Sequence, residues 1–271
     1  MKKFLIPIAV VILLLLVVSG SYFFFFKGKK MNNTNVQTTS ITTKEVIFEK
    51  NPYIALIPRS DGHEFKLEVT NLTSTELVEY ELAYMAGDFS RGAIGEIQLT
   101  GSSSFTRNLL LGSESCSGNG VDRVCKYRYD EGVTDGTLTL RLRRGSERQK
   151  IEIPFRLQKG NEGKKGLASS DGNFTFKGSL PSGSYYAISS TQGLPKPLDT
   201  KILSGPYGIF TTSSNDAKGT VEFKLSETAT SVKVLGWVNG KWVEFNKDLK
   251  INDKTISATV DELTTFVVVA P

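Results

Sequence analysis

The sequence predicts an all-β protein in which two β-sandwich domains follow an N-terminal transmembrane helix and a flexible polar stalk. Three observations predict this fold class. Apolar and polar residues alternate with a period of two over most of the chain, which is typical of strands that bury one face. A long uncharged segment lies near the amino end, and a glycine-rich stretch at 159–172 divides the remainder.

The uncharged segment runs from Phe4 to Phe26 and predicts a membrane-spanning helix. A helix of this length spans about 34 Å, which exceeds the hydrocarbon core of about 30 Å. We expect residues 1–30, with their basic flanks, to form an uncleaved signal anchor in the lipid bilayer of the cell membrane. The rest of the chain is then expected outside the cytoplasm. A signal peptide cleaved after Gly20 is the alternative, but the apolar segment continues through four phenylalanines beyond that point.

The net charge of +5 does not indicate a nucleic-acid-binding protein. Five lysines lie within residues 1–30, which contain no acidic residue. The remaining chain has 28 basic and 28 acidic side chains. Because nucleic-acid-binding domains carry an excess of positive charge, we expect no nucleic acid partner.

Residues 31–43 are polar and lack aromatic residues, so they predict a flexible linker. For 44–158 we expect an immunoglobulin-like β-sandwich of about seven antiparallel strands. Alternation is clearest over Phe65–Val69, Val78–Tyr84, Leu138–Leu142 and Ile151–Phe155. Turn signals between such runs include Asp61-Gly62, Asp135-Gly136 and Gly145-Ser146.

A second β-sandwich is predicted over 173–271, with 159–172 as the interdomain linker. Its alternating runs are centred on Phe174–Phe176 and Val221–Leu225. Asn239-Gly240 predicts a type I′ hairpin, because both central residues of that turn require a positive φ. Because the linker is rich in glycine and poor in large apolar residues, we expect each domain to fold alone.

The second domain ends in a pattern that suggests a family. A GKW hairpin at 240–242 is followed by a last strand entered through SATV and TTF. With these features, residues 205–271 resemble the closing half of ZU-type β-sandwich modules of bacterial surface proteins. The chain departs from that pattern at 261–263, where a His-Phe pair is commoner. The resemblance implies a β-sandwich fold and no catalytic activity.

Cys116 and Cys125 are the only cysteines, and a predicted turn at 117–120 lies between them. We predict that they form a disulfide across a hairpin, because a single cysteine pair in an exported chain meets an oxidising compartment. Two reduced thiols are the alternative.

Reduced thiols would allow an enzymatic function. An N-terminal anchor, a β-rich body, one histidine, a cysteine and several arginines are similar to a sortase, which is a cysteine transpeptidase. This resemblance implies His63 as the base, Cys125 or Cys116 as the nucleophile and Arg141 or Arg128 as the oxyanion-binding residue. The chain lacks the Thr-Leu-x-Thr-Cys motif of sortases.

Other catalytic or metal-binding patterns are weaker. A serine hydrolase would need His63 as its base, but the chain has no G-x-S-x-G motif. Asp130, Glu131 and Asp135 lie close enough in sequence to bind calcium, but no D-x-D-x-D pattern supports this. One histidine and two cysteines do not make a conventional zinc site. We expect no metal and no cofactor.

A basic hairpin is the best candidate for a binding site. Its basic residues are Arg141 and Arg143 on one strand face, Arg144 at the turn, and Arg148 and Lys150 on the returning strand. Such a strip would bind an anionic envelope polymer, whereas the alternative is a solvated sheet face that hinders edge aggregation. The sequence therefore predicts a non-catalytic, single-pass membrane protein of the cell envelope. Its partner would be an envelope polymer or another surface protein.

Overall fold

The computed structural model describes residues 51–118, 120–160 and 166–271, and this part of the chain is all-β. It contains nineteen strands, numbered β1 to β19 in chain order, and a 3-10 turn at Gly120–Asp122. None of the described helical segments is long and apolar enough to cross a bilayer. The predicted anchor at 4–26 and the linker at 31–43 lie outside the described residues.

The largest sheet has nine antiparallel strands and includes strands from both halves of the chain. Across the sheet its strands are β16 (Lys241–Glu244), β15 (Lys233–Val238), β19 (Thr265–Val269), β13 (Ile202–Phe210), β12 (Tyr185–Ser190), β9 (Glu147–Lys159), β8 (Val133–Arg144), β3 (Leu77–Ala86) and β4 (Phe89–Gln98). The sheet is continuous because β9 pairs with β12.

Three smaller antiparallel sheets complete the fold. A three-stranded sheet contains β1 (Tyr53–Pro58), β2 (Glu64–Thr70) and β5 (Phe105–Leu110). A five-stranded sheet contains β10 (Leu167–Ala168), β11 (Phe174–Gly178), β14 (Asp216–Lys224), β18 (Thr255–Glu262) and β17 (Lys250–Asn252). A two-stranded hairpin contains β6 (Gly112–Ser117) and β7 (Val124–Tyr129).

The first hydrophobic core lies between the three-stranded sheet and strands β3, β8 and β9. Phe65 of β2 and Phe155 of β9 meet edge to face at its centre, with ring centroids 5.1 Å apart. Both side chains are fully buried. Full burial of one such side chain stabilises the fold by about 1.5–3 kcal/mol.

The second hydrophobic core lies between the five-stranded sheet and strands β12, β13, β15 and β19. Phe174 of β11 packs against both Phe223 and Tyr207, with ring centroids 4.9 and 5.2 Å away. This core therefore holds the five-stranded sheet against one end of the nine-stranded sheet. The first core does the same for the three-stranded sheet at the other end.

The two cores lie on opposite faces of the nine-stranded sheet. Leu157 of β9 is opposite Ala187 of β12, and both belong to the first core. The neighbouring residues of β12, Tyr186 and Ile188, belong to the second core. Because successive side chains of a strand point to opposite faces, β12 contributes to both cores.

The glycine-rich stretch at 159–172 divides the chain into two halves, each of which contributes most of one core. Strands from both halves nevertheless form one continuous sheet. The described residues from 51 onward belong to one compact unit. The β9–β12 pairing links residues on both sides of this stretch, of which 161–165 are not described. This pairing favours coupled folding of the two halves over the independent folding that the composition predicts.

Most of the predicted strands are present, but the prediction of a turn at Asp135-Gly136 is wrong. These residues lie inside β8. Gly136 is required there by close packing, since a Cβ atom would lie 2.3 Å from the carbonyl oxygen of Ala83 and 2.7 Å from the ring of Phe155. The Asn239-Gly240 turn is confirmed, with φ of 48° and 78°, and it places Trp237 opposite Trp242.

A buried tyrosine fixes the turn between β10 and β11. The hydroxyl of Tyr207 donates a hydrogen bond to Asp171 Oδ2 at 2.6 Å, and the amide of Asn173 donates to Asp171 Oδ1 at 3.0 Å. Partial burial raises the pKa of Asp171, but hydrogen bonds from Ser169, Tyr207 and Asn173 outweigh it, so the net pKa is below its ordinary 3.8. The ionised carboxylate therefore stabilises the second half.

We predict that Asp171→Asn lowers the free energy of unfolding at pH 7 by about 1–3 kcal/mol, because hydrogen bonds to an ionised acceptor are lost. The pKa of Asp171 is depressed in the folded state, so its contribution is complete above the unfolded pKa of about 3.9. It is lost as the pH falls through the folded pKa. The difference between wild type and variant should therefore shrink below pH 4, as measured by urea unfolding across pH.

Asp253→Asn is the matched control, because Asp253 is an exposed turn aspartate with a positive φ of 53°, which asparagine also accepts. A difference between wild type and Asp171→Asn that stays constant with pH would contradict this role of the Asp171 carboxylate.

Candidate functional site

The outer face of strands β4, β3, β8 and β9, which points away from the first core, carries most of the clustered charge. Its charged residues, here called the charged face, are Glu96 on β4, Glu79 and Glu81 on β3, Asp135, Arg141 and Arg143 on β8, and Arg148, Lys150, Glu152 and Arg156 on β9. Acidic side chains dominate on β3 and β4, and basic side chains dominate on β8 and β9. The two signs of charge are therefore segregated across the face.

The basic part of this face, the basic corner, consists of Arg141, Arg143, Arg148 and Lys150. Its geometry follows from the β8–β9 register, in which Arg141 is opposite Lys150 and Arg143 is opposite Arg148. All four side chains are exposed. The structure thus brings together on one surface four of the five basic residues that the sequence analysis singled out.

Two members of the basic corner are already paired with carboxylates. Arg141 donates a hydrogen bond to Glu81 Oε2 at 3.1 Å. Lys150 forms a salt bridge with Glu152, and the resulting hydrogen bond lowers the pKa of Glu152. Within the described residues, Arg143 and Arg148 form no salt bridge. Like charges directly opposite each other on neighbouring strands are destabilising, so this pair favours an anionic partner.

A hollow of about 240 Å³ lies at the basic corner. It is lined by the four basic residues together with Leu77, Glu79, Leu142 and Gln149. The hollow is partly open and smaller than the pockets of about 300–1,000 Å³ that typically hold small molecules, so it suits one segment of an extended chain better.

Arg144 does not belong to the basic corner. The turn residue Gly145 has a φ of 57°, and Arg144 lies just before it, one residue out of phase with Arg141 and Arg143. Its side chain therefore points to the opposite face, where Nε donates a hydrogen bond to Thr75 Oγ1 at 3.3 Å. Arg144 is removed from the predicted binding strip for this reason.

The two cysteines form the predicted disulfide. Cys116 and Cys125 are opposite each other in the β6–β7 hairpin, with their Cα atoms 4.0 Å apart. Nearly all side chains of this hairpin, here called the arm (112–129), are exposed. Val121 at the tip is fully exposed. The disulfide therefore joins two strands that make almost no contribution to either core.

His63 packs at the base of the arm. Its ring stacks on that of Tyr129, with centroids 4.4 Å apart. Its Nδ1 lies 3.6 Å from Asp61 and its Nε2 lies 3.7 Å from Glu131. A hydrogen bond from Arg59 is the main reason that the pKa of Asp61 is lowered to about 2. The surroundings of His63 are thus an aromatic ring and two carboxylates.

The structure does not bring together the groups of a sortase-like site. His63 stacks on Tyr129, whereas Cys125 lies four positions earlier in β7, a distance of about 13 Å along a strand. Both cysteine sulfurs are bonded to each other, so neither is a thiolate. Arg128 is exposed on the arm. Arg141 lies on the nine-stranded sheet instead, where it pairs with Glu81 of the neighbouring strand.

The carboxylates considered for calcium also have separate partners. Asp130 accepts a hydrogen bond from the Tyr84 hydroxyl at 2.8 Å, and Asp135 accepts one from Thr134. In the described part of the chain, the one cluster of three potential metal ligands contains Glu114 and the two cysteines. Because those cysteines are in a disulfide, their sulfurs do not offer thiolate ligands.

Comparison with known proteins adds no assignment. No protein-family model matches this chain, and a search of curated proteins gives no significant match. The basic corner and the arm are therefore interpreted from their geometry alone.

Sequence reasoning predicted one exposed feature in part and missed another. It predicted a hairpin with a disulfide at the arm but not the length of its two strands, which the short alternating runs on either side of 117–123 could have indicated. Strand β4 was missed because its sequence, FSRGAIGEIQ, has two glycines and no clear alternation.

We predict that reducing the disulfide loosens the arm without unfolding the cores. Closing a ten-residue loop constrains the unfolded chain by about 2.7 kcal/mol, which sets an upper limit on the loss of stability. Hydrogen exchange should rise at the amides of β6 and β7 in Cys116→Ser/Cys125→Ser and remain unchanged in β8 and β19. Mass spectrometry of the untreated wild type should show no alkylatable thiol.

The matched control is Ser113→Ala/Ser115→Ala, which changes two exposed side chains of the same arm and keeps the bridge. Two free thiols in the exported protein, or faster exchange throughout both cores of the double cysteine variant, would contradict this role.

Proposed function

We propose that this protein is a non-catalytic, membrane-anchored binding protein of the cell envelope. In this proposal residues 4–26 cross the cell membrane once, and the β-rich body lies outside the cytoplasm. The basic corner on that body binds an anionic envelope polymer. The observation that carries this function is the opposed pair of Arg143 and Arg148, which forms no salt bridge within the described residues.

The form of the basic corner supports a polymeric ligand. Guanidinium groups present a planar fork of donors that matches phosphate, sulfate and carboxylate groups. Here two such groups lie opposite each other on adjacent strands, about 5 Å apart at the backbone. A polymer with regularly spaced anionic groups can contact both and continue along the open hollow.

The disulfide supports a position outside the cytoplasm. Disulfides persist in oxidising compartments and are rare in the reducing cytosol. The bridge between Cys116 and Cys125 is on the exposed arm, where a reductant has free access. An uncleaved anchor at 4–26 with the body exported is the topology that accounts for this pair.

The finer architecture is also part of the proposal. We infer two β-sandwich modules behind a transmembrane helix and a polar linker, one immunoglobulin-like and the second related to the ZU type. The two cores support this arrangement, because each lies between a small sheet and one end of the nine-stranded sheet. The shared strand pairing makes the modules adjacent parts of one body.

An anchored cysteine transpeptidase remains the alternative function. It would require reduction of the disulfide and movement of His63 toward the tip of the arm. The stacking of His63 on Tyr129 favours the binding function instead.

We predict that charge reversal at the basic corner abolishes binding to a polyanion. The full chain in detergent micelles should bind dextran sulfate and not neutral dextran, with an affinity that falls as salt rises. Arg143→Glu/Arg148→Glu should weaken binding by at least about tenfold, since each hydrogen bond to a charged group contributes about 1.5–3 kcal/mol. Biolayer interferometry at several salt concentrations measures the effect.

Lys218→Glu/Lys224→Glu is the matched control. Lys218 and Lys224 are exposed on β14, and the control makes the same change in net charge on the five-stranded sheet. Equal weakening in both variants would mean that only the overall charge matters, and unchanged binding in Arg143→Glu/Arg148→Glu would contradict the assignment of the basic corner.

A further inference from the structure

Strand β4 is an unusually long free edge. It is the last strand of the nine-stranded sheet, and among the described residues it pairs only with β3. It has ten residues, whereas β16 at the other end of the same sheet has four. The end strands of the five-stranded sheet, β10 and β17, have two and three.

Apart from two charged side chains, Arg91 and Glu96, strand β4 also lacks the features that normally protect an edge. Natural edge strands are blunted by lysine, proline, bulges or short length, because an open edge is a template for pairing. β4 contains neither lysine nor proline, and its register with β3 is unbroken from Leu77 opposite Gln98 to Ala86 opposite Phe89. Its Ile94 and Phe89 side chains are 81% and 67% exposed.

We propose that two copies of this chain pair through β4 in an antiparallel dimer. The two-fold axis lies perpendicular to the sheet and passes between the two Ala93 residues. A rotation about this axis does not turn a sheet over, so the charged faces of the two copies point in the same direction. Side chains that are opposite each other across the dimer therefore lie on the same face of the combined sheet. The nine-stranded sheets of the two copies then continue into each other.

The sequence of β4 is complementary to itself in this register. Phe89 of one copy is opposite Ile97 of the other, and Ile97 already packs against the first core. Ile94 is opposite Gly92 of the other copy, where the absence of a side chain leaves room for it. A second copy therefore covers Phe89 with an apolar side chain and leaves room for Ile94 over its glycine.

The charges of β4 are compatible with the same register. Arg91 is opposite Gly95, and Glu96 is opposite Ser90, so that no like charges meet. A shift by two residues in one direction would place Arg91 opposite Ile97 and Gly92 opposite Glu96. The register centred on Ala93 is favoured because it pairs apolar with apolar residues and gives each charge a small or polar neighbour.

Cysteine cross-linking of the full chain in detergent micelles tests this dimer. Ala93→Cys places two thiols at the two-fold axis, where opposite Cβ atoms are about 4.5–5.5 Å apart. The native cysteines do not compete, because they are bonded to each other. Mild oxidation should convert most of the Ala93→Cys protein to a covalent dimer on a non-reducing gel.

Ser90→Cys is the matched control on the same exposed strand. In the proposed register its two copies are six residues apart, or about 20 Å along the strand, so it should remain monomeric on the same gel. Cross-linking of Ser90→Cys to the same extent, or none in Ala93→Cys, overturns the proposed dimer.

A second measurement does not depend on cysteine chemistry. Analytical ultracentrifugation should give the mass of two chains for the wild type and of one chain for Phe89→Lys/Ile94→Lys. Both replaced side chains are exposed, so the fold of each copy is kept, as unchanged circular dichroism should confirm. Val121→Lys, an equally exposed apolar-to-lysine change on the arm, should remain dimeric. A monomeric wild type, or a lysine variant that is still dimeric, overturns the proposal.

Discussion

The pairing of β9 with β12 is the interaction on which the arrangement of this protein depends. β9 places Phe155 and Leu157 in the first core, and its backbone forms a ladder with β12. On β12, Ala187 faces the first core while Tyr186 and Ile188 face the second. A single strand pair therefore belongs to both cores, and the alternation of its side chains places those cores on opposite faces of one sheet.

This opposite placement determines which surfaces remain available for binding. The first core covers one face of β3, β8 and β9 and leaves the other face to the charged residues. The five-stranded sheet lies on that same side, and the amide of Ala168 at its edge donates a hydrogen bond to Gln158 of β9 at 3.1 Å. The basic corner is thus at the end of an open face, and β4 is at its free margin. The proposed binding of a polyanion depends on the uncovered face of this half of the sheet, and the proposed dimer depends on the free edge of its last strand.

Local sequence patterns predicted the strands that bury one face. They failed for a strand that buries few side chains and for a glycine that is required by close packing. Leu138, Leu140 and Leu142 alternate because the first core requires it, and Asn239-Gly240 specifies its turn chemically. Gly136 was misread because a glycine required by a close backbone approach looks the same in sequence as a glycine in a turn. Strand β4 buries few side chains, so it carries little alternation to detect.

The pairing between distant strands was beyond local reasoning for a different reason. The β9–β12 ladder joins segments on both sides of a glycine-rich stretch, and composition alone favours a domain boundary there. The placement of the basic residues was easier to predict, because strand alternation put Arg141, Arg143, Arg148 and Lys150 on one face, where the structure also has them. The sequence placed Arg144 only at the turn, and its phase relative to that turn directs its side chain to the other face.

Native-state hydrogen exchange of the full chain at increasing denaturant tests most directly whether the shared sheet couples the two cores. The slowest amides of β8 in the first half and of β19 in the second should open with the same free energy and the same denaturant dependence, because breaking either core breaks the β9–β12 ladder. Two distinct free energies with two smaller slopes would contradict this account, since the halves would then unfold independently.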